Sequence, residues 1–464
     1  MTDAAPVFHN VLDAIGNTPM HEVTKMDTGK CRLFLKLENQ NPGGSIKDRI
    51  GLSMVLAAEA DGSIKPGGTL IEATAGNTGL GLALVAAQRG YKVVIIVPDK
   101  MAQEKIFHLK AMGADVITTR SDVGKGHPEY YQDMAERLAG ENGWFYINQF
   151  GNPANPHAHE TSTGPEILAQ VDAAGVKLDA MVCGVGSGGT VTGLSNCFAD
   201  HSPDTVMVLA DPEGSILTHY VETGEISEDV GSWMVEGIGE DFLPPICDLS
   251  RTKTAYTISD EEAFLTAREV LEKEGILAGS SSGTLIAAAL KWARAQSEPK
   301  TVVTFVCDSG NKYLSKMFND FWMLDNGFIK PSQTGDLHDL IARKHGEHQA
   351  VTIKPSTPLE QAYRQMKLHD ISQLPVLDED HNLVGILDEE DLLLHVYQCS
   401  CFDGVTSDIM AKDLRTVGPD DTIDRVLLLL TKGMVVPVVS DNAFHGLITK
   451  IDVLNHLRLH AASN

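Results

Sequence analysis

Basic side chains are scarce: 37 Lys and Arg stand against 63 Asp and Glu, for a net charge of −26. Such a chain repels phosphate backbones, and no basic stripe interleaved with aromatics offsets the repulsion, so nucleic acid is not an expected partner. Long apolar runs are also missing. No stretch approaches 18 uninterrupted apolar residues, and Met1 to Asn17 shows no basic region followed by an apolar run. That speaks against a membrane span and a secretory leader, and a cytoplasmic protein is expected. Cysteine is sparse and odd in number. The seven (31, 183, 197, 247, 307, 399, 401) are spread through apolar contexts, which suits a reducing compartment better than a disulfide framework. Cys399 and Cys401 invite a metal or redox reading, but no second Cys/His pair sits at zinc-site spacing, so no metal is expected.

What is present is an ordinary globular balance, 43% hydrophobic and 22% charged residues over 464 positions. That length suggests two or three domains. From Cys31 to about Phe305, short β-branched runs alternate with helix-period segments, the pattern of a parallel α/β sheet covered by helices. Leu33 to Leu37, Val93 to Val97, Met181 to Cys183, Val206 to Leu209 and Val302 to Val306 read as buried strands. Leu52 to Ala60, Gly79 to Gln88, Glu104 to Met112 and Leu285 to Ala295 read as helices. Open sheets of this kind bind ligands at the carboxyl ends of their strands, which directs attention to the loops that follow strands.

Near Lys330 the composition changes, and Pro331 to Gly335 resembles a linker. Beyond it an internal repeat appears: Pro375 leads through Gly385 to Asp391, and Pro437 through Gly446 to Asp452. The division expected is 1–330 for a catalytic domain, 331–349 for a linker, and 350–404 and 405–464 for two β-α-β repeats. Short strands at Ala350 to Ile353 and at Thr416 and Val417, with helices Leu359 to Leu368 and Thr422 to Leu430, would complete the repeats.

Four loops carry candidate chemistry. In Asn41-Pro-Gly-Gly-Ser-Ile-Lys47-Asp-Arg49 a glycine turn runs into a helix whose dipole disfavours the ammonium form of Lys47, as a nucleophilic amine requires. Most lysines are solvated surface groups, and this one alone proves nothing. Thr74-Ala75-Gly76-Asn77-Thr78 follows a strand; its small residues let backbone amides approach a carboxylate, and Asn77 can reach a ring oxygen, although a packed helix cap is an equal reading. Gly186-Ser187-Gly188-Gly189-Thr190 can form an anion-binding nest at a helix N-terminus. It lacks the Walker lysine and is no clean dinucleotide fingerprint. Ser309, after the last strand, can meet a ring nitrogen or simply cap the next helix.

The order of these four motifs resembles the β-family of pyridoxal 5′-phosphate (PLP) enzymes, the cysteine synthase/cystathionine β-synthase family, over about Val11 to Phe328. The resemblance implies a fold type II catalytic domain of two parallel α/β subdomains, followed by paired regulatory modules of the CBS type. It implies that Lys47 binds the cofactor aldehyde, Asn77 contacts the ring oxygen, Gly186 to Thr190 take the phosphate, and Ser309 faces the ring nitrogen.

Three features are similar to the transsulfuration branch: Val235-Glu-Gly-Ile-Gly-Glu240-Asp-Phe-Leu-Pro244, Gln149-Phe-Gly-Asn-Pro-Ala-Asn-Pro156, and the terminal repeat. Serine would then displace Lys47, with its carboxylate held by Thr74, Ala75, Gly76 and Thr78. Freed Lys47 would take the α-proton, the β-hydroxyl would leave, and homocysteine would add through its thiol. Gln149, Glu236, Gly237 and Glu240 are the expected further substrate contacts. Glu240 stands where animal members have Tyr, and Ala75 where they have Ser, which keeps two alternatives open: a cysteine synthase using O-acetylserine and sulfide, or a cysteine desulfhydrase. An inactive ligand sensor is the third reading. The chain starts almost at the catalytic region, so no haem is expected. Family members are typically homodimers or larger. In the repeats, Gly446, Thr449 and Asp452 match the pattern that meets the ribose of an adenosyl ligand, while the first copy has Asp388 in place of the Thr.

Overall fold

The computed structural model describes residues 7–74, 76–99, 101, 103–124, 126–330, 334–346, 349–433 and 435–461. Ten strands lie in its first part: β1 (Met20–Glu22), β2 (Arg32–Leu37), β3 (Thr69–Ala73), β4 (Lys92–Pro98), β5 (Asp115–Thr119), β6 (Phe145–Tyr146), β7 (Ala180–Cys183), β8 (Val206–Pro212), β9 (Thr252–Ile258) and β10 (Thr301–Val306). They form two sheets, one in the order β1-β2-β10-β7-β8-β9 and one in the order β5-β4-β3-β6. Only β1 runs antiparallel to its neighbour. The strands named from their β-branched runs are all present, and β7 and β10 are buried along their whole length, as parallel strands covered on both faces must be. Two sheets arise where the alternation read as one, because the segment holding β3 to β6 pairs within itself. It builds its own core from Ile50, Met54, Leu70, Leu80, Leu82 and Ile95.

In each sheet the strand order reverses once. After β3 the chain moves outward to β4 and β5 and returns on the other side as β6, and after β7 it moves to β8 and β9 and returns as β10. Crevices at such reversals lie at the carboxyl ends of the strands. The Thr74 to Thr78 loop and Gln149 follow β3 and β6; the Gly186 to Thr190 loop and Cys307 follow β7 and β10. Two glycines bring the helices behind this region together. A Cβ on Gly81 would sit 2.8 Å from the Lys47 carbonyl oxygen, and one on Gly51 would sit 2.9 Å from the carbonyl carbon of Gly81. Helices Lys47–Ala60 and Asn77–Arg89 therefore touch backbone to backbone, which fixes the start of the first relative to the second.

The chain divides into two compact units, Met1–Asn319 and Asp320–Asn464. In the second, β11 (Gln373–Leu377) pairs antiparallel with β12 (Leu383–Asp388), and β13 (Val435–Ser440) with β14 (Ala443–Thr449). Both hairpins shift register just after the equivalent valines, Val376 and Val438, so the repeat read from the sequence extends to the irregularities. The strands expected at Ala350 to Ile353 and at Thr416 and Val417 shrink to single bridges, Ile353 to Val376 and Val417 to Val438. The segment 331–349 is not a plain linker. Leu337, Leu340 and Ile341 are buried in the core of the second repeat with Val417, Val436, Val438 and Val453. Apolar side chains at this spacing need cover, each gaining about 1.5–3 kcal/mol on full burial. Among the described residues no helix is long and apolar enough to cross a membrane.

Candidate active site

The turn that carries Lys47 is pinned from both sides. Asp48 accepts a hydrogen bond from the Gly43 N–H at 2.5 Å. A Cβ at position 43 would lie as close to that carboxylate, so the turn demands glycine there. Ile46 donates its N–H to the carbonyl of Cys307 at the end of β10, at 2.9 Å. Lys47 is thereby delivered to a cavity of about 410 Å³ at the ends of both sheets. Burial holds its amine below the usual lysine range, against the pull of Cys307, Asp308 and Glu240. The sequence pointed to the helix dipole for this effect; desolvation is the larger cause.

Thr74, Asn77 and Thr78 line the same cavity, with Gln149 beside them. Thr78 donates its hydroxyl to Gln149 Oε1 at 2.7 Å, and Gln149 donates to the Ala73 carbonyl at 3.0 Å, a link across the β3/β6 reversal. Asn77 donates to Asp308 Oδ2 at 2.8 Å and accepts from Lys312 Nζ at 3.0 Å. Gly76 is not a lining residue and instead adopts φ +114 at the helix start. Ala75 lies outside the described residues.

Gly186, Ser187, Gly188 and Thr190 line the cavity as well. Helix Gly189–His201 begins here, so its first-turn amides have no acceptor within the helix. Gly189 itself is packed rather than exposed to the cavity: a Cβ there would fall 1.9 Å from Asn155 Oδ1. Asn155 donates to Ser187 Oγ at 2.9 Å, and Thr190 Oγ lies 3.2 Å from His159 Nε2. Burial, helped by the charges of Lys47 and Arg49, keeps His159 well below the usual histidine range and so neutral.

The run Trp233 to Asp241, including Glu236, Gly237 and Glu240, supplies another part of the lining. Glu236 accepts from Lys105 and Lys316, each at 2.8 Å. Burial pushes its carboxyl up, but the two ammonium groups outweigh this and hold it below the ordinary value. Lys105 also donates to the Tyr313 hydroxyl, which donates to Asp308.

Ser309, like Gly189, is an expected cofactor contact that falls outside the cavity lining. It is the N-cap of a 3-10 turn, where its hydroxyl accepts from the Asn311 N–H, and it does not line the cavity. The hydroxyl on the cavity wall belongs to Ser281, next to Cys307. Burial raises the Cys307 thiol to about 12, so it stays neutral beside that hydroxyl. Ser281 went unnoticed because Gly279-Ser-Ser-Ser-Gly283 reads as a helix start; the run of small residues opposite a strand end was the available signal.

The donor set therefore suits a phosphorylated aromatic aldehyde: an amine of lowered basicity, a phosphate-sized nest at a helix N-terminus, and a serine hydroxyl on the wall. In the second unit, Thr449 and Asp452 line an open cavity, and the Thr449 hydroxyl donates to Asp452 at 2.6 Å. Their counterparts Asp388 and Asp391 form a helix capping box and do not line that cavity.

Residues 11–308 match the family described as pyridoxal-phosphate dependent enzymes, and residues 346–397 and 405–459 match the CBS domain. The chain belongs to this family of pyridoxal-phosphate dependent enzymes and carries two CBS domains after the catalytic part. Within the family, it is 37% identical to the cystathionine beta-synthase of Dictyostelium discoideum, over 84% of this chain and 79% of that one. It is 33% identical to the cystathionine beta-synthase of Apis mellifera, over all of this chain and 93% of that one. Among solved structures, an O-acetylserine dependent cystathionine beta-synthase from Helicobacter pylori is 37% identical, with a TM-score of 0.61, covering 67% of this chain and 99% of that one.

Proposed function

We propose that the protein condenses L-serine with L-homocysteine to give L-cystathionine, with Lys47 as the residue that binds the PLP aldehyde and then moves the proton. The observation that carries this reading is an amine of depressed basicity opening into a cavity lined by both the glycine-rich loop at a helix N-terminus and the Thr74, Asn77 and Thr78 loop. Bound there, PLP supplies an electron sink for the negative charge that develops at the substrate α-carbon.

The chain's own residues do the rest. Thr74, Thr78 and Gln149 hold the substrate carboxylate, which points the α-hydrogen at Lys47. Lys47 takes that proton as a neutral base and passes one to the departing β-hydroxyl, so that water leaves. Lys47 then takes the proton of the homocysteine thiol as its sulfur bonds to the β-carbon, and delivers that proton to the α-carbon. Amides of Gly186 to Thr190 and the Thr190 hydroxyl hold the phosphate, Asn77 meets the ring oxygen, and Ser281 replaces Ser309 as the partner of the ring nitrogen. Glu236, Gly237 and Glu240 face the second substrate; a carboxylate at 240 favours its ammonium group. No haem enters this scheme.

The catalytic domain is assigned to 1–330. Of the segment 331–349, residues 337–341 go with the second repeat, and 350–404 and 405–464 form the repeats. We assign Thr449 and Asp452 to an adenosyl ligand, the protein to the cytoplasm, and its assembly to a homodimer or larger homo-oligomer.

Cystathionine formation from serine and homocysteine by the PLP-loaded protein tests the activity, and its absence contradicts it. The ring contact has its own test. Ser281→Ala is expected to weaken PLP binding roughly fivefold, the worth of one neutral hydrogen bond of about 1 kcal/mol, while Ser309→Ala leaves binding near wild type. Fluorescence titration of the apoenzyme with PLP reads both, and the reverse ranking would restore Ser309.

A further inference from the structure

We infer that His395, Cys399 and Cys401 form a zinc site on the surface of the first repeat. His395 and Cys399 are four residues apart on helix Glu389–Cys399, so they share one face of its last turn. Ser400 then takes the left-handed conformation at φ +54, which turns the chain back and brings Cys401 to the same place. One ligand atom from each of the three residues lies within 4.8 Å of the others. Donors around a tetrahedral zinc stand about 3.5–3.8 Å apart, as follows from Zn–S near 2.3 Å and Zn–N near 2.0 Å, so closure needs a movement of about an ångström in side chains at a helix end.

The surroundings favour a metal beyond mere proximity. His395 Nε2 lies 2.9 Å from the carbonyl oxygen of Asp403. A carbonyl can only accept, so Nε2 carries the proton and Nδ1 keeps the lone pair. Fixing an imidazole through its other nitrogen on a backbone carbonyl is how metal-binding histidines are oriented. Cys399 Sγ lies 3.2 Å from the backbone N–H of Cys401 and 3.0 Å from its carbonyl oxygen, so the two cysteines are already held together by the turn. Two thiolates and a neutral imidazole balance the charge of one Zn²⁺, and binding releases the two thiol protons. Soft sulfur donors with imidazole select zinc over magnesium or calcium. Three protein ligands leave the fourth position to water. No such site was expected from the sequence, because the histidine joins the Cys-x-Cys pair only through the helical turn.

The test uses the full-length, PLP-loaded protein, reduced and then freed of reductant without air, and dialysed against a zinc buffer. Elemental analysis is expected to find one more zinc per chain in the wild type than in the Cys399→Ser/Cys401→Ser variant. His395→Ala is expected to weaken that zinc at least tenfold. Cobalt in place of zinc is expected to give a thiolate charge-transfer band that the double variant lacks. Equal zinc uptake by wild type and double variant overturns the proposal. So does a Cys399–Cys401 disulfide in aerobic protein whose reduced form takes up no additional zinc, which would assign the pair to redox chemistry.

Discussion

Lys47→Ala is expected to lower the rate of cystathionine formation by on the order of 10²–10⁴-fold, the range that a positioned proton-transfer group contributes. The variant loses the cofactor-binding amine as well as the base, so the visible absorption of lysine-bound cofactor should vanish with the activity. Isotope exchange separates the two roles. Wild-type protein given serine deuterated at the α-carbon should release deuterium to water even without homocysteine, because proton removal precedes the arrival of the thiol. Lys47→Ala with PLP restored should not. A variant that still exchanges the α-deuterium would place the base elsewhere, and His159 is a poor substitute because burial holds its basicity well below the ordinary imidazole range.

The second large effect lies about half a turn along the same helix. Arg49 donates to Glu38 at 2.8 Å and to Glu166 at 2.7 Å, with Lys36 also bound to Glu166 at 2.8 Å. Arg49, Glu38 and Lys36 are almost wholly buried. Arg49→Met leaves the carboxylate of Glu38 buried without its cation, a change that costs about 3–5 kcal/mol. Calorimetry should show a clearly lowered unfolding transition, whereas Lys291→Met, which breaks a half-exposed pair with Glu262, should move it little. The same cluster sets an acid limit. Burial pushes the Glu166 carboxyl up, but Arg49 and Lys36 bring it down to about 2 from an ordinary 4.5. A carboxyl lowered in the folded state stabilises above its unfolded value and loses that contribution as pH falls through the folded one. The loss should therefore fall between about pH 4.5 and 2, and it should shrink in the Arg49→Met protein.

Much of this was legible in the sequence because backbone requirements leave direct marks. The glycines at 43 and 189 stand where a Cβ would meet a buried carboxylate or amide, and the valine-rich strands are buried runs that no solvated segment would carry. Lys47 could be singled out as a cavity residue because a glycine turn, a lysine and a helix stood in one order with three other loops. Contacts made across the fold left weaker traces. Ser281 and Ser309 are both serines at helix starts, and only the folded chain, in which Ser281 lines the cavity and Ser309 caps a turn, tells them apart. Leu337 and Ile341 follow a proline- and glycine-marked boundary, yet they fill the core of a repeat whose strands begin about a hundred residues later. The partnership of Lys105 and Lys316 with Glu236 joins residues far apart in the chain, and no local pattern records it.

The central claim is that the Lys47 cavity joins serine to homocysteine. The most direct measurement is a product analysis by mass spectrometry, with the purified PLP-loaded protein given serine plus homocysteine and, separately, O-acetylserine plus sulfide. Cystathionine from the first pair as the dominant product is the predicted result, and it would show that Glu240 and Ala75 serve that reaction. Cysteine from the second pair, with little cystathionine from the first, would contradict the claim and make the protein a cysteine synthase.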